Sequence, residues 1–176
     1  HAFSDFQKWL KELKNRGILL TVCSKNNEDT AKEPFEKHPE MVLRLEDFSM
    51  FVANWEDKAR NIRTIQQSLN IGMDSMVFLD DNPFERELVR TMIPEITVPE
   101  LPEDPALYLQ YLRGLDLFET ASYSREDAGR TEQYREKAQR AAFEAAFQSY
   151  DDYLEALQMR ASAAAFDPFH YPRIAQ

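Results

Sequence analysis

Adjacent carboxylates at Asp80 and Asp81 repel one another unless a cation neutralises them, and hard oxygen ligands of this kind suit a magnesium ion that keeps several of its waters. Upstream, Ser24 offers a hydroxyl. The polar run Ser24, Lys25, Asn26 and Asn27 has the capping chemistry that opens a helix, whose positive end suits an anionic oxygen. Lys58 adds a point charge of the sort that stabilises a phosphoryl group as charge develops in transfer. Taken singly, each has an ordinary structural explanation. A Ser after a strand is commonly a cap, a Lys in a first helical turn is commonly solvated, and Asp-Asp-Asn-Pro is commonly a turn. Together and in this order they describe a phosphate-and-magnesium site.

The elements that would hold these residues follow from hydrophobic patterning. Phe3, Phe6, Leu10 and Leu13 recur at helical spacing and Gly17 stops that helix. Ile18 to Cys23 is a continuous apolar run, expected as a strand buried on both faces of a parallel sheet, and a helix to about Lys37 follows despite Pro34. Phe48 to Ala53 reads as a second strand, after which Asn54 is expected to cap a helix carrying Ile62, Ile65 and Leu69 on one face. Met76 to Leu79 reads as a third strand stopped by Asp80-Asp81-Asn82-Pro83, with Pro83 opening the next helix. Ile96 to Val98 reads as a short fourth strand and the region around Leu107 and Tyr111 as a helix of about ten residues. This strand-helix alternation predicts an α/β fold with a mostly parallel sheet. In such sheets ligands bind outside the carboxyl ends of the strands, where Ser24, Lys58, Asp80 and Asp81 all fall.

The order of a Ser in VCSKN, a Lys in NWEDKARNI and the acidic pair in VFLDDNPFER resembles motifs II, III and IV of the haloacid dehalogenase-like (HAD) phosphohydrolase superfamily, and the wording is similar to its FkbH-like branch. The resemblance covers residues 1 to about 118 and implies a three-layer Rossmann-like sheet. It also implies Ser24 as the phosphate-binding hydroxyl, Lys58 as the phosphate-binding lysine, and Asp80 with Asp81 as magnesium ligands. Lys25, Asn26, Asn54 and Arg86 are expected as further phosphate or substrate contacts. For the intact protein it implies removal of phosphate from a three-carbon acid such as 1,3-bisphosphoglycerate, and loading of the glyceryl unit onto the thiol of an acyl carrier protein. Cys23, beside the phosphate site, is a candidate thioester carrier, set against a plain buried strand residue. The superfamily's first motif, an Asp-x-Asp whose leading Asp is the nucleophile, occurs nowhere in residues 1–176. It is expected upstream of His1, so that the chain is a slice of a longer protein whose sheet is incomplete at this end. The alternative is a non-catalytic phosphate-binding module. A phosphoacceptor receiver domain shares the acids and the Lys, but has its acids before its lysine.

Composition narrows the remaining classes. The net charge is −10, with 14 basic against 22 acidic residues up to Thr120 and 7 against 9 beyond it, so no basic stripe points to nucleic acid. No apolar run approaches membrane-span length. A single cysteine excludes an intrachain disulfide and fits a cytoplasmic setting. Four glycines leave no room for a Walker A loop or dinucleotide fingerprint. His38 and His170 lack partners at metal spacing. The texture changes near residue 120. The HAD-like domain is expected over 1–120, a long helical segment over 121–158, and the start of a further domain, with a strand at Met159 to Phe166, over 159–176.

Overall fold

In a computed structural model of the chain, which describes residues 2–119, 129–147 and 150–158, the first element is helix α1, Ala2–Asn15. Its apolar stripe buries Trp9 and Leu13 against Leu101 and Leu112, with Phe118 edge-on to Trp9 at 5.8 Å. Gly17 ends it at φ 89°, a left-handed conformation that glycine adopts without penalty, while the Ile18 amide donates back to the Leu13 carbonyl at 3.1 Å.

Strand β1, Leu20–Lys25, starts two residues later than the apolar run suggests. Only Leu20 in it is buried and the other five residues are half-buried, so the expectation of a strand buried on both faces is not met. It pairs in parallel with β2, Phe48–Asn54, with Ser24 opposite Ala53 and Lys25 opposite Asn54. The connection runs through α2, Glu28–Lys37, which accommodates Pro34 and buries none of its residues. Its Phe35 meets Phe48 and Phe51 of β2, the three rings edge-to-face at 5.1 to 6.0 Å, against Leu20 and Leu43.

Helix α3, Lys58–Leu69, is capped by Asp57, whose carboxylate accepts the Arg60 amide at 2.7 Å, and not by Asn54. Its C-terminus ends on Asn70 in the left-handed region. Ala59 and Ile62 of α3 pack with Val89 of α4, Pro83–Met92, and with Ile93 just beyond its end, in one cluster with Phe78 and Ile96. The third and fourth strands expected from sequence are reduced to one parallel bridge, Val77 with Thr97. Two hydrogen bonds hold it, Phe78 amide to Thr97 carbonyl at 2.9 Å and Thr97 amide to Met76 carbonyl at 3.1 Å. Pro94 and Pro99 bound the outer segment and leave it too short to form a ladder. The helix around Leu107 and Tyr111 resolves into a 3-10 turn, Pro105–Leu107, and α5, Tyr108–Arg113, shorter than expected.

Two compact units, His1–Ala142 and Phe143–Gln176, make up the chain. Helix α6, Arg130–Ala145, and helix α7, Tyr150–Ala156, account for the described part of the expected helical segment. In the second unit Phe143, Phe147 and Tyr153 cluster with centroids 4.9 to 6.0 Å apart. The compositional boundary at 120, the strand at Met159 to Phe166, the further domain over 159–176 and His170 lie outside the described residues. Among the described residues, no helix is long and apolar enough to cross a membrane.

Candidate phosphate and magnesium site

The carboxyl ends of β1, β2 and the Met76–Leu79 segment come together at one rim. Lys58, at the first turn of α3, forms an ion pair with Asp80 in which the two side chains are 13% and 5% exposed. The other Asp80 oxygen accepts the Asn82 amide at 2.9 Å, which turns the chain into α4, where Asn82 in turn caps the Phe84 amide at 2.9 Å. Asp81 is exposed beside it. Ser24 and Asn26 are half-buried at the end of β1. The sequence-predicted Ser24, Lys58, Asp80 and Asp81 therefore occupy neighbouring strand ends.

Among the described residues, no group of three or more His, Cys, Asp or Glu side chains forms a metal cluster. Asp80 and Asp81 supply hard oxygens only, a donor set that fits magnesium with water and substrate oxygens completing the shell.

Three expected substrate contacts are otherwise engaged. Arg86 is 5% exposed, donates to the carbonyls of Asp80 and Asp81 at 2.8 and 3.0 Å, and pairs with Glu100. It is turned inward as a brace for the acidic loop, its two terminal nitrogens engaged by those carbonyls and Glu100. Lys25 pairs with the buried Glu85 at 2.7 Å, which commits its charge to α4. Asn54 exchanges amide hydrogen bonds with Asn61 at 2.7 and 3.1 Å and accepts the Glu56 amide at 3.0 Å, so it fixes the β2–α3 turn.

Cys23, the candidate thioester carrier, is half-buried. Burial pushes its thiol up to about 11, and the neighbouring Lys58 charge, which pulls the other way, does not offset it. Its sulfur lies 3.8 Å from the Lys58 carbonyl. A thiol held in that range is protonated at neutral pH and a poor nucleophile.

Sequence reasoning missed the residues that position the site: Asp57, Asn61, Glu85 and Glu100. Asp57 carried a readable signal, an acid three residues before the Arg60 amide that it caps. The others act through distant partners that only the fold brings near.

Beside the rim a largely apolar groove of about 510 Å³ runs between β1 and the Met76–Leu79 segment. Thr21 and Cys23 line one wall, Val77 and Leu79 the other. Leu10 and Leu13 of α1, with Ile62 and Ile65 of α3, also line it. Among the described residues, β1 has a strand partner only in β2, and Val77 is bridged only to Thr97.

No protein-family model matches the chain, and no curated protein matches it. Among solved structures, the chain is similar to the N-terminal part of the protein BF1531 from Bacteroides fragilis, which contains a phosphatase domain complexed with Mg. The two are 70% identical with a TM-score of 0.68, over 69% of this chain and 32% of that one, so the match spans about a third of the neighbour. Over that span the chain shares the fold and most of the sequence of a structure containing a magnesium-complexed phosphatase domain.

Proposed function

We propose that the chain forms most of a magnesium-dependent phosphatase-type domain of the HAD superfamily, in which Ser24 and Lys58 bind the substrate phosphate and Asp80 with Asp81 hold the metal. The observation that carries this reading is the meeting of Lys58 with the Asp80 carboxylate at the strand ends, beside Asp81. The 70% identity to a magnesium-complexed phosphatase domain supports the ion. Bound magnesium neutralises phosphate charge. The protein's own part is to present the Ser24 hydroxyl and the Lys58 ammonium to the phosphate oxygens. With magnesium bound, Asp80 and Asp81 would hold the ion, and Lys58, freed from its Asp80 partner, would present its charge to a phosphate oxygen.

No Asp-x-Asp occurs in residues 1–176. The groove between β1 and Met76–Leu79 supports a strand outside these residues as the source of the nucleophile. Such a strand would pair with both edges, and its side chains would alternate between the α1 and α3 layers. Its carboxyl end would lie beside Ser24 and Asp80. For the complete protein we infer the FkbH-like reaction, dephosphorylation of a three-carbon acyl phosphate and transfer of its glyceryl unit to an acyl carrier protein. The raised Cys23 thiol speaks against Cys23 as the way-station.

A second reading, a phosphate-binding module without turnover, is favoured by the absence of an Asp-x-Asp from the sequence. A synthetic apolar strand ending in Asp-x-Asp, added to the chain with magnesium and acetyl phosphate, separates the two. Phosphate release that is lost in Asp80→Asn supports the enzyme. Phosphate binding with no release, with or without the strand, supports the module.

A further inference from the structure

Side-chain ties hold the Ser24–Asn27 loop on both sides. On the β2 side the Trp55 indole donates to the Asn27 side-chain oxygen at 2.8 Å, and on the α4 side the Lys25 ammonium donates to Glu85 at 2.7 Å. The second tie is unusual for where its acid sits. Glu85 is the third residue of α4, a position from which an acid ordinarily reaches back to the amide of the cap residue. Here the Asn82 amide is already held by Asp80 at 2.9 Å, and Glu85 turns across to the last residue of β1. It does so while 7% exposed, and its second carboxylate oxygen is buried with no hydrogen-bond partner among the described residues.

A buried carboxylate with one partner and one orphaned oxygen is a poor device for stability, since an apolar pair of similar volume would serve as well or better. What the pair does supply is a fixed separation. Among the described residues β1 has no hydrogen-bonded ladder to the Met76–Leu79 segment, so backbone pairing does not set the distance from Ser24 to Asp80 and Asp81. Lys25, beside Ser24, and Glu85, one turn past Asp81, set it through their side chains. The next residue completes the link: Arg86 donates to the carbonyls of Asp80 and Asp81 at 2.8 and 3.0 Å, so one turn of α4 grips both halves of the site. Besides burial, the Lys58, Asp80 and Glu85 charges all act on the Cys23 thiol, which puts the tie and the site around one side chain. The Lys58–Asp80 pair cannot keep that distance once Lys58 is given to phosphate and Asp80 to the ion. The Lys25–Glu85 pair uses neither group, and neither of its residues lines the apolar groove.

We infer that Glu85 is a positioning residue which, through Lys25, holds the Ser24 loop at a set distance from the Asp80–Asp81 loop, so that magnesium and phosphate each tighten the binding of the other. The inference rests on the phosphate-and-magnesium site proposed above and adds how its two halves are coupled.

The test is calorimetric titration of inorganic phosphate into the 176-residue chain and its variants, with and without magnesium chloride. Lys25→Met combined with Glu85→Gln removes the tie at unchanged net charge and leaves neither partner as an unpaired buried charge. This double variant should bind phosphate alone as the parent does, while the magnesium enhancement falls from the tenfold or more expected of the parent to about threefold or less. Glu85→Gln by itself, which keeps the shape of the side chain, should lose the enhancement in the same direction. Lys25→Arg, which keeps a cation on Glu85, should retain most of it. An enhancement kept in full by the double variant or by Glu85→Gln overturns the inference and leaves the site standing. So does phosphate binding weakened equally with and without magnesium in the double variant, which would place Lys25 on the phosphate itself. A parent whose phosphate affinity ignores magnesium removes the site reading and this inference with it.

Discussion

The Lys58 ammonium and the Asp80 carboxylate face each other in a largely buried ion pair, with the second Asp80 oxygen held by the Asn82 amide. The pair brings the first turn of α3 to the loop that opens α4, so the candidate phosphate-binding cation and metal-binding acid share one contact. Removing one partner leaves the other as an uncompensated buried charge, which costs more than the pair contributes. Lys58→Ala is expected to lower unfolding stability by about 3 kcal/mol. Lys58→Met with Asp80→Asn should recover much of that loss. Chemical denaturation of the single and double variants measures it, and additive effects would mean that the two groups do not interact.

Cys23 is expected to be inert at neutral pH. With its thiol raised to about 11, roughly one molecule in three thousand carries the thiolate at pH 7.5. Iodoacetamide labelling should be slow at that pH and rise tenfold per pH unit up to the edge of alkaline unfolding. Rapid labelling at pH 7 that saturates near pH 8 would contradict the burial argument.

The positions of the candidate residues at strand ends were legible because each depends on local sequence. Ser24, Lys58, Asp80 and Asp81 each follow or border an apolar run, and strand ends are where α/β sheets place their chemistry. Pro83 signalled the start of α4 correctly, its fixed φ suiting the first helical turn. What was not legible depends on tertiary partners. Nothing near Arg86 in the chain says that its guanidinium turns inward to two carbonyls and Glu100. Asn54 looked like a cap because Asn61 comes close only once α3 has formed. The Met76–Leu79 and Ile96–Val98 segments have strand composition, but pairing needs neighbours, and across the groove the first has none among the described residues.

Asp47 gives the fold an acid-sensitive joint. Burial alone would raise its carboxyl, but hydrogen bonds from Lys14, the Arg44 amide and Lys11 outweigh this and hold it below the ordinary carboxylate value. Lys14 and Lys11 lie 2.8 and 3.2 Å away on α1. A lowered folded value means that the stabilisation is complete above the unfolded value of about 4 and is lost as pH falls through the lower folded one. Asp47→Asn should therefore cost about 2 to 3 kcal/mol at pH 7 and flatten the loss of stability below pH 4. Urea midpoints at pH 7 and pH 3 check this. A variant as stable as the parent at pH 7 would exclude the joint.

Arg86 is expected to support the acidic loop without touching substrate. Arg86→Ala removes donors to the Asp80 and Asp81 carbonyls and should destabilise the chain by about 3 kcal/mol. Arg86→Lys should rescue little, since one ammonium cannot reproduce the fork. Loss of phosphate affinity at unchanged unfolding stability would instead assign Arg86 a direct role.

The central claim is that phosphate and magnesium meet at Lys58, Ser24 and the Asp80–Asp81 pair. Calorimetric titration of inorganic phosphate into the 176-residue chain, with and without magnesium, tests it most directly. The account predicts that magnesium tightens phosphate binding by tenfold or more in the parent, that Asp80→Asn abolishes the enhancement, and that Lys58→Met weakens phosphate binding with and without the ion. Phosphate affinity indifferent to magnesium in the parent, or an enhancement that survives Asp80→Asn, would contradict it.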